Sequence, residues 1–451
     1  MSRLRVLALA PDANPDSIST ALGGYELAAA LARCHDVTLA VRSGYNERAV
    51  RRAGAPFEQI EGVRVPALDK IYAWSLRRLF RYDYGSHALT AFTYPFAVAF
   101  EWCAWRQLRP RITAGAFDVV IRLLPVTSVL PSAFAFLLRK TRTPFVVGPV
   151  NGGLPWPTGF PQVERQKEWV SGLRNVYRVL PFSRSTYGRA AAIIAGSSCT
   201  AHEFDEYRDK VFFVPENGIE DSTIESAARS PQAGPLRLMF VGRLVPYKAC
   251  DLAIRGAARL LREGRALLTV VGDGPERNAL ERLAETLGVA GAISFRGWLS
   301  HPETLACLRK ADVLVFPSLR EFGGGVVFEA LARGVVPIVA RFGGPGDIVT
   351  PAVGFAFRLT NEADAVTEID YALDRLERDR LLLQEISARG LGYAKEHLTW
   401  QAKARTVSSI LMWTAGRGAK PDLPPPNRDA VSFFQPVLES APSKCQESSA
   451  S

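Results

Sequence analysis

The chain has 451 residues, of which 47% are hydrophobic, and it carries a formal net charge of +10. This length predicts two or three domains, and the ordinary apolar fraction excludes a fibrous or wholly disordered protein. The basic excess favours an anionic partner such as a phosphate group or an anionic lipid surface, with a role in solubility alone as the alternative.

The cysteines and the hydrophobic runs both favour a cytoplasmic protein. The six cysteines have no metal-ligand or redox spacing, which is typical of a reduced compartment. The basic and then apolar N-terminus is predicted to be a buried strand and not a signal peptide. No run of about 20 uncharged apolar residues occurs, so the sequence predicts no transmembrane helix.

The first half alternates short apolar runs with helical stretches. Continuous apolar runs of this length are typical of strands buried on both faces of a parallel sheet. After the first run, the pair Gly23-Gly24 is predicted to form a turn that opens a helix over 25–33. This turn is either a loop that contacts phosphate or acceptor, or an ordinary structural turn. The predicted strands are 4–10, 37–41, 119–123, 145–147, 192–195 and 211–214.

A stretch rich in Ser, Pro, Ala and Gly over 230–235 is predicted to link two domains, after which the same alternation restarts. Repeated strand–helix units predict parallel sheets covered by helices on both sides. The fold class is therefore α/β, with two Rossmann-like, doubly wound domains. The stretch 416–451 loses this periodicity and is predicted to be a disordered tail. The predicted strands of the second half are 236–241, 267–271, 292–295, 313–316 and 336–340.

The turns that follow the strands are the first candidates for a site, because ligands of open parallel sheets bind beyond the carboxyl ends of the strands. Arg243 and Lys248 come directly after the strand 236–241. A guanidinium fork and an ammonium group at one strand end can hold a diphosphate. Two solvated surface cations are the alternative interpretation.

A second candidate turn follows the strand 313–316 and contains Glu321, three glycines at 323–325 and Glu329. Glycines let backbone amides approach a ligand closely, and amides at the start of a helix favour anions. Glu329 lies within an apolar segment, where a carboxylate needs partners such as ribose or sugar hydroxyls. An acid at a helix start and a salt-bridged Glu329 are the alternative.

Other chemistries lack their motifs. There is no Gly-x-Gly-x-x-Gly fingerprint after the first strand, no Walker-type phosphate loop and no Gly-x-Ser-x-Gly elbow. The histidines show no zinc spacing, and no Asp-x-Asp pair is present to hold a divalent metal on a nucleotide. If the substrate is a nucleotide sugar, protein cations and backbone dipoles must stabilise the leaving diphosphate.

Taken together, the segments VGRLVPYK, VVGDGPE, FRGWL, ADVLVFPSLREFGGGVVFEALARGVVPIVA and GGPGDIV resemble those of the family-4 (group 1) retaining glycosyltransferases. The resemblance covers nearly the whole chain except the tail and is strongest over 236–349. It implies the GT-B fold, in which two Rossmann-like domains, here 1–229 and 230–395, face each other across a cleft. It also implies a C-terminal helix over 396–415 that returns to the N-terminal domain.

The same resemblance implies roles for single residues. Arg243 and Lys248 would bind the donor diphosphate, and Glu321 would contact the hydroxyls of the transferred sugar; these three are the catalytic candidates. Glu329 would bind the ribose, and the stretch 296–298 would lie near the base. The implied donor-binding residues are Gly242, Gly272, Gly274, Arg296, Gly297, Trp298, Phe322, Gly323, Gly324, Gly325, Val326 and Glu329.

The acceptor-side candidates are Gly23, Gly24, Arg122 and Asn151. Arg122-Leu123 stands where many members of the family have a histidine. Ala249 stands where glycine usually follows the lysine, and Asp347 stands where a glutamate is usual. The stretch 148–153 resembles a subset of the family that builds polysaccharides.

The resemblance implies retaining transfer of a sugar from a nucleoside-diphosphate sugar to an acceptor hydroxyl, with no metal or other cofactor and no nucleic-acid partner. The expected acceptor is a saccharide or a lipid-linked saccharide. Aromatic and basic residues interleave over 71–84, which favours either contact with the anionic inner face of a membrane or a helix that packs on its own domain. The alternative functions are a sugar-nucleotide epimerase of the same fold and a non-catalytic scaffold that binds anions or lipids.

Overall fold

The structure is a computed structural model that describes residues 3–17, 19–65, 93–124, 127, 130–152, 154–157, 159–160, 180–226 and 233–423. The predicted membrane-contacting stretch 71–84 and most of the predicted tail lie outside these residues. Within them, the chain forms two parallel α/β sheets, each with its own hydrophobic core.

The N-terminal sheet has seven parallel strands in the order β3-β2-β1-β4-β5-β6-β7. Apart from Arg5 and Arg122 at strand ends, its central strands β1, β4 and β5 are apolar, and they are buried on both faces, as the apolar runs predict. The strands are β1 (Arg5–Leu9), β2 (Asp36–Arg42), β3 (Gln59–Val63), β4 (Val119–Arg122), β5 (Phe145–Val150), β6 (Ala192–Ala195) and β7 (Val211–Phe213).

Helices cover both faces of this sheet, and the sheet separates the two core clusters that they form with it. They are α1 (Ser19–Cys34), α2 (Tyr45–Ala53), α3 (Tyr94–Thr113), α4 (Phe134–Leu137), α5 (Ser183–Arg189) and α6 (Ser198–Glu203), with short 3₁₀ segments at Leu138–Lys140, Asp205–Lys210 and Asp221–Thr223.

The C-terminal sheet has six parallel strands in the order β10-β9-β8-β11-β12-β13. The order reverses beside β8, so the carboxyl ends of β8 and β11 flank the crevice where ligands of doubly wound sheets bind. The strands are β8 (Leu236–Val241), β9 (Ala266–Val271), β10 (Ile293–Phe295), β11 (Val313–Phe316), β12 (Val336–Ala340) and β13 (Phe355–Phe357).

Two helices of this half begin within the glycine-rich loops of the predicted site, at Gly325 and Gly343. The helices of this half are α7 (Cys250–Arg262), α8 (Arg277–Thr286), α9 (His301–Leu308), α10 (Gly325–Leu331), α11 (Gly343–Ile348), α12 (Glu362–Arg378), α13 (Arg380–Tyr393) and α14 (Trp400–Thr414). Shorter helical segments lie at Pro246–Lys248, Ala290–Ala292 and Ala394–Leu398. None of the helices in the described ranges is long and apolar enough to cross a membrane.

The last helix, α14, packs on the N-terminal domain. Its residues Trp400, Ala404 and Val407 lie in one core cluster with Leu27 and Leu31 of α1. Thr399 caps this helix by accepting a hydrogen bond from the amide of Ala402, which satisfies one of its free amino-terminal N–H groups. The chain thus crosses from one domain to the other twice.

Two details differ from the sequence predictions. The helix α1 begins at Ser19, so Gly23 and Gly24 lie inside it and do not form a turn before it. The strands β3 and β13 were not predicted, and each is one of the two edge strands of its sheet and is partly exposed. Edge strands carry a weaker apolar signal because only part of each strand is covered.

Candidate functional site

The carboxyl ends of both sheets meet at the boundary between the domains. In the C-terminal domain, the turns after β8, β9, β10, β11 and β12 share one edge, because all these strands are parallel. From the N-terminal domain, Glu216 and Asn217, which follow β7, lie against the glycine loop after β11. The turns that carry the predicted donor residues therefore share one edge of the C-terminal sheet, at the domain boundary that is called the crevice below.

Lys248 and Glu321 form the central contact of this crevice. They are 73 positions apart in the chain, yet Lys248 Nζ donates a hydrogen bond to Glu321 Oε2. Both side chains are mostly buried, with 18% and 17% exposed. Lys248 Nζ also lies 5.4 Å from the centre of the Phe316 ring, a distance at which a cation is attracted to the face of an aromatic ring. This places a fixed cation and a fixed acid side by side.

The glycine loop between Glu321 and α10 is shaped by contacts that a side chain would block. Gly324 has φ +59°, a left-handed conformation that glycine adopts readily, and its amide donates to Glu321 Oε1 at 3.2 Å. A Cβ added to Gly323 would lie 2.3 Å from Asn217 Nδ2. The loop thus holds Glu321 from one side and touches the N-terminal domain on the other.

The second glycine loop forms α11 and supports the first. The amide of Gly344 donates to the carbonyl of Glu321 at 3.2 Å, and a Cβ on Gly343 would lie 2.2 Å from that oxygen. Asp347 Oδ2 accepts a hydrogen bond from the backbone N–H of Ser198, across the domain boundary, at 2.8 Å. Burial raises the pKa of Asp347 to about 7.

Arg243 lies at the same edge but is exposed, and the described part of the chain holds no ion-pair partner for it. The turn that carries it is fixed by glycines. The amide of Gly242 donates a hydrogen bond to the carbonyl oxygen of Val271 at 3.0 Å. Gly272, at φ +128°, lies so close to the carbonyl oxygen of Gly242 that a Cβ added to Gly272 would be 1.9 Å from it. A Cβ on Gly274 would lie 2.3 Å from the Leu244 carbonyl.

The stretch predicted to meet the base follows β10. The amide of Gly272 donates to the carbonyl of Gly297 at 2.8 Å, which ties this stretch to the turn after β9. Arg296 is exposed, and the Trp298 side chain is 67% exposed. Large aromatic side chains are usually mostly covered in folded proteins, so the exposure of Trp298 is unusual. Its ring is open for stacking at this end of the crevice.

Glu329 finds a partner that the sequence analysis did not identify. Its Oε1 lies 2.7 Å from Nε2 of His301, the first residue of α9, and 24% of its side chain is exposed. This carboxylate is accessible and held at one oxygen. The remaining loop residues are less open: Phe322 packs against Leu154 and Gly196 of the N-terminal domain, and Val326 is partly buried.

Gly23 and Gly24 allow close packing inside the N-terminal domain. A Cβ on Gly24 would lie 2.5 Å from the carbonyl oxygen of Leu124, just beyond β4. A Cβ on Gly23 would lie 3.5 Å from the ring of Trp400 and 4.0 Å from the carbonyl oxygen of Glu216. The pair lets α1 approach the strand ends that border the crevice.

Arg122 ends β4, and its side chain is buried inside the N-terminal domain. It is 2% exposed, its Nε lies 3.1 Å from Glu101 Oε1 of α3, and it donates to the carbonyl of Leu130 at 2.7 Å. Ser132 also donates to Glu101, so the acid is fully engaged. These contacts give Arg122 an internal structural role in place of the acceptor-side role expected for it.

Asn151 is at the crevice, and it points to a residue that the sequence analysis left out. Its Nδ2 donates to Glu216 Oε2 at 3.2 Å. The sequence analysis does not name Glu216, because its position beside Gly323 depends on how the two domains meet. Within the described residues, no group of three or more His, Cys, Asp or Glu side chains is arranged to hold a metal ion.

Two family models match the chain. The model of "Glycosyl transferases group 1" matches residues 221–385, and that of a "Glycosyl transferase 4-like domain" matches residues 24–216. The two matches meet near the linker and together include the whole C-terminal sheet and all of the N-terminal sheet except β1.

Curated relatives match part of the chain. A glycogen synthase of Mycobacterium tuberculosis is 33% identical over 196 residues, which are 41% of this chain and 45% of that protein. A D-inositol 3-phosphate glycosyltransferase of Nocardia farcinica is 34% identical over 164 residues, which are 34% of this chain and 36% of that protein. The chain therefore matches less than half the length of these two relatives.

Solved structures match nearly all of the chain in fold. HepE of Anabaena in complex with UDP has a TM-score of 0.58 at 16% identity, covering 91% of this chain and 100% of that one. WaaG, a glycosyltransferase involved in lipopolysaccharide biosynthesis, has a TM-score of 0.53 at 17% identity, covering 90% and 99%. The family and the GT-B fold predicted from the motifs are confirmed: this chain belongs to the group 1 glycosyltransferases of family 4.

Proposed function

We propose that this protein transfers a sugar from a nucleoside-diphosphate sugar to an acceptor hydroxyl, with retention of configuration and without a metal ion. The observation that carries the proposal is the contact of Lys248 with Glu321 beside the Gly323–Gly325 loop, at the carboxyl edge of the C-terminal sheet. This edge is where ligands of such sheets bind.

On this proposal, protein groups stabilise the leaving diphosphate. The bond between the anomeric carbon and the phosphate oxygen breaks, and negative charge grows on the diphosphate. Arg243, Lys248 and the amides of the glycine loop stabilise that charge, each by about 3 to 4 kcal/mol. Arg243 is suited to this role because it is exposed at the edge, where a bound diphosphate can engage its guanidinium.

Glu321 and Glu329 bind the uncharged parts of the donor, which are the transferred sugar and the ribose. Glu321 is held by Lys248 and by the amide of Gly324, so its position relative to the transferred sugar is fixed. Glu329 keeps an accessible face beside His301 and accepts hydrogen bonds from the ribose hydroxyls. Trp298, with its exposed ring, stacks on the base.

The names of similar proteins support a nucleotide-sugar donor. HepE of Anabaena was solved in complex with UDP and in complex with UDP-glucose. Glycogen synthase and WaaG are named for the building of polysaccharide and lipopolysaccharide, so we assign this chain to the synthesis of a polysaccharide or other surface glycoconjugate.

A panel of donors tests the proposal. UDP-glucose, UDP-galactose, UDP-N-acetylglucosamine and GDP-mannose would each be added with p-nitrophenyl glycosides as acceptors, and release of nucleoside diphosphate would be measured. We expect release with at least one donor, undiminished by EDTA, and a product whose anomeric configuration by NMR matches that of the donor. Absence of both nucleoside diphosphate release and thermal stabilisation with every donor would refute the transferase function. Inversion of the anomeric configuration would refute retention, and loss of activity in EDTA would refute independence of a metal ion.

We also propose that the protein attaches to the cytoplasmic face of the membrane. There it would meet its acceptor, a saccharide or a lipid-linked saccharide. On α3, Trp102 is 50% exposed, and Arg106 and Arg109, four and seven positions later, are exposed on the same helical face. Interleaved aromatic and basic side chains are typical of surfaces that lie on anionic lipid.

Co-sedimentation with liposomes measures this attachment. The protein is expected to sediment with vesicles of phosphatidylcholine and phosphatidylglycerol more than with phosphatidylcholine alone, and less at high salt because surface charges are screened. Equal sedimentation with both vesicle types would contradict it.

A further inference from the structure

Glu216 occupies an unusual place for a carboxylate. It follows β7 of the N-terminal domain, is only 7% exposed, and lies against the glycine loop of the C-terminal domain. Burying an acid is costly unless it is paired or hydrogen-bonded, so such a position needs an explanation.

The two oxygens of Glu216 are in different situations. Oε2 accepts a hydrogen bond from Asn151 Nδ2 at 3.2 Å. Oε1 has no hydrogen-bond partner in the described part of the chain, and it would lie 3.0 Å from a Cβ placed on Gly323. One oxygen is thus held by the N-terminal domain, while the other faces the loop beside Glu321.

Two charged groups from other elements act on Glu216. Glu321, from the loop after β11, opposes its ionisation, and Lys403 of α14 favours it. Lys403 is itself 2% exposed, but its Nζ donates to the carbonyl of Pro215 at 2.7 Å and forms no ion pair with Glu216. Burial is the largest influence and raises the pKa of Glu216 to about 7, which is near the operating range of a general base.

We propose that Glu216 is a catalytic residue that accepts a hydrogen bond from the acceptor hydroxyl and takes up its proton during transfer; this rests on the function proposed above. The acceptor oxygen forms the new bond to the anomeric carbon. The bond from that carbon to the diphosphate breaks, and its electron pair leaves with the diphosphate. The hydroxyl proton passes to the Glu216 carboxylate and is later lost to water.

The surroundings fit this role better than a purely structural one. The buried structural acid Glu101 is paired directly with Arg122, whereas the hydrogen-bond partner of Glu216 is a neutral amide. Gly23 of α1, an acceptor-side candidate, borders the carbonyl of the same residue. The free oxygen therefore lies where donor and acceptor sides meet.

The test is the pH dependence of acceptor-dependent nucleoside diphosphate release, using the most active donor of the panel. Wild type is expected to lose activity as the pH falls through about 7, because Glu216 becomes protonated and cannot accept a proton. Glu216→Gln is expected to lower the acceptor-dependent rate by about 10²- to 10⁴-fold and to abolish that acidic limb. Thermal stabilisation by UDP and GDP should match wild type, since donor binding does not use this carboxylate.

A matched control is Glu225→Gln, the same substitution at an acid that lies close to Glu216 in the sequence. Glu225 forms an ion pair with Arg309. This variant should keep the wild-type rate and pH profile. If Glu216→Gln kept the wild-type rate or the wild-type acidic limb, the inference would be overturned. The leaving diphosphate would then be the group that accepts the proton of the acceptor hydroxyl. In that case donor-dependent release by wild type would still support the transferase, so the two proposals fail separately.

A second variant separates a base from a residue that only maintains the fold. Burial lowers the pKa of Lys403 to about 7, so its ammonium group is protonated over the acidic limb, where it favours ionised Glu216. Lys403→Met removes that charge, so the acidic limb should move to higher pH while the rate on its alkaline side is retained. Loss of rate without any movement of the limb would contradict a base at this position.

Discussion

Replacing Lys248 or Arg243 by alanine is expected to lower sugar transfer by about 10²- to 10³-fold, the usual cost of removing one donor that stabilises a developing negative charge. Arg243 is exposed and has no ion-pair partner in the described chain, so its loss should leave the fold unchanged. Lys248 also holds Glu321, so its removal should in addition weaken the placement of the sugar.

Steady-state release of nucleoside diphosphate, with thermal unfolding of each variant, measures this effect. The matched control is Lys310→Ala, an exposed lysine before β11 and thus at the opposite edge of the sheet. It should keep full activity. Near-wild-type turnover in both Arg243→Ala and Lys248→Ala would refute the assignment of these cations to the diphosphate.

Arg122→Met is expected to destabilise the protein by about 3 to 5 kcal/mol, because it leaves a buried carboxylate without its cation. Glu101 and Arg122 are both almost fully buried, at 3% and 2% side-chain exposure. Burial already raises the pKa of Glu101, and the charge of Arg122 is the main influence that opposes this rise.

Urea denaturation of Arg122→Met and of the double variant Glu101→Gln with Arg122→Met would measure the pair. The double variant should recover part of the lost stability, because the glutamine carries no charge and still accepts hydrogen bonds from Ser132. If Arg122→Met were as stable as wild type but poor in transfer, the acceptor-side role predicted from the sequence would be restored.

Local sequence patterns were sufficient for most of the fold. The runs at β1, β8 and β11 are apolar apart from Arg5 and Arg237 and are followed by glycine or charged turns, so each could be identified without knowledge of its neighbours. The candidate donor residues follow from the same rule, because residues after parallel strands share one edge. The edge strand β3 was missed because Glu61 and Gly62 interrupt its apolar residues, and β13 was missed because it is only three residues long.

The sequence by itself thus determined the two-domain α/β class, the family and the turns that carry Arg243, Lys248, Glu321 and Glu329, because each depends on residues close together in the chain. Only the tertiary structure decided that Arg122 is buried against Glu101 and that Glu216 lies between Asn151 and Gly323. These pairings join segments far apart in sequence. Whether a charged side chain meets solvent, ligand or a buried partner depends on how helices and domains pack, which no local pattern encodes.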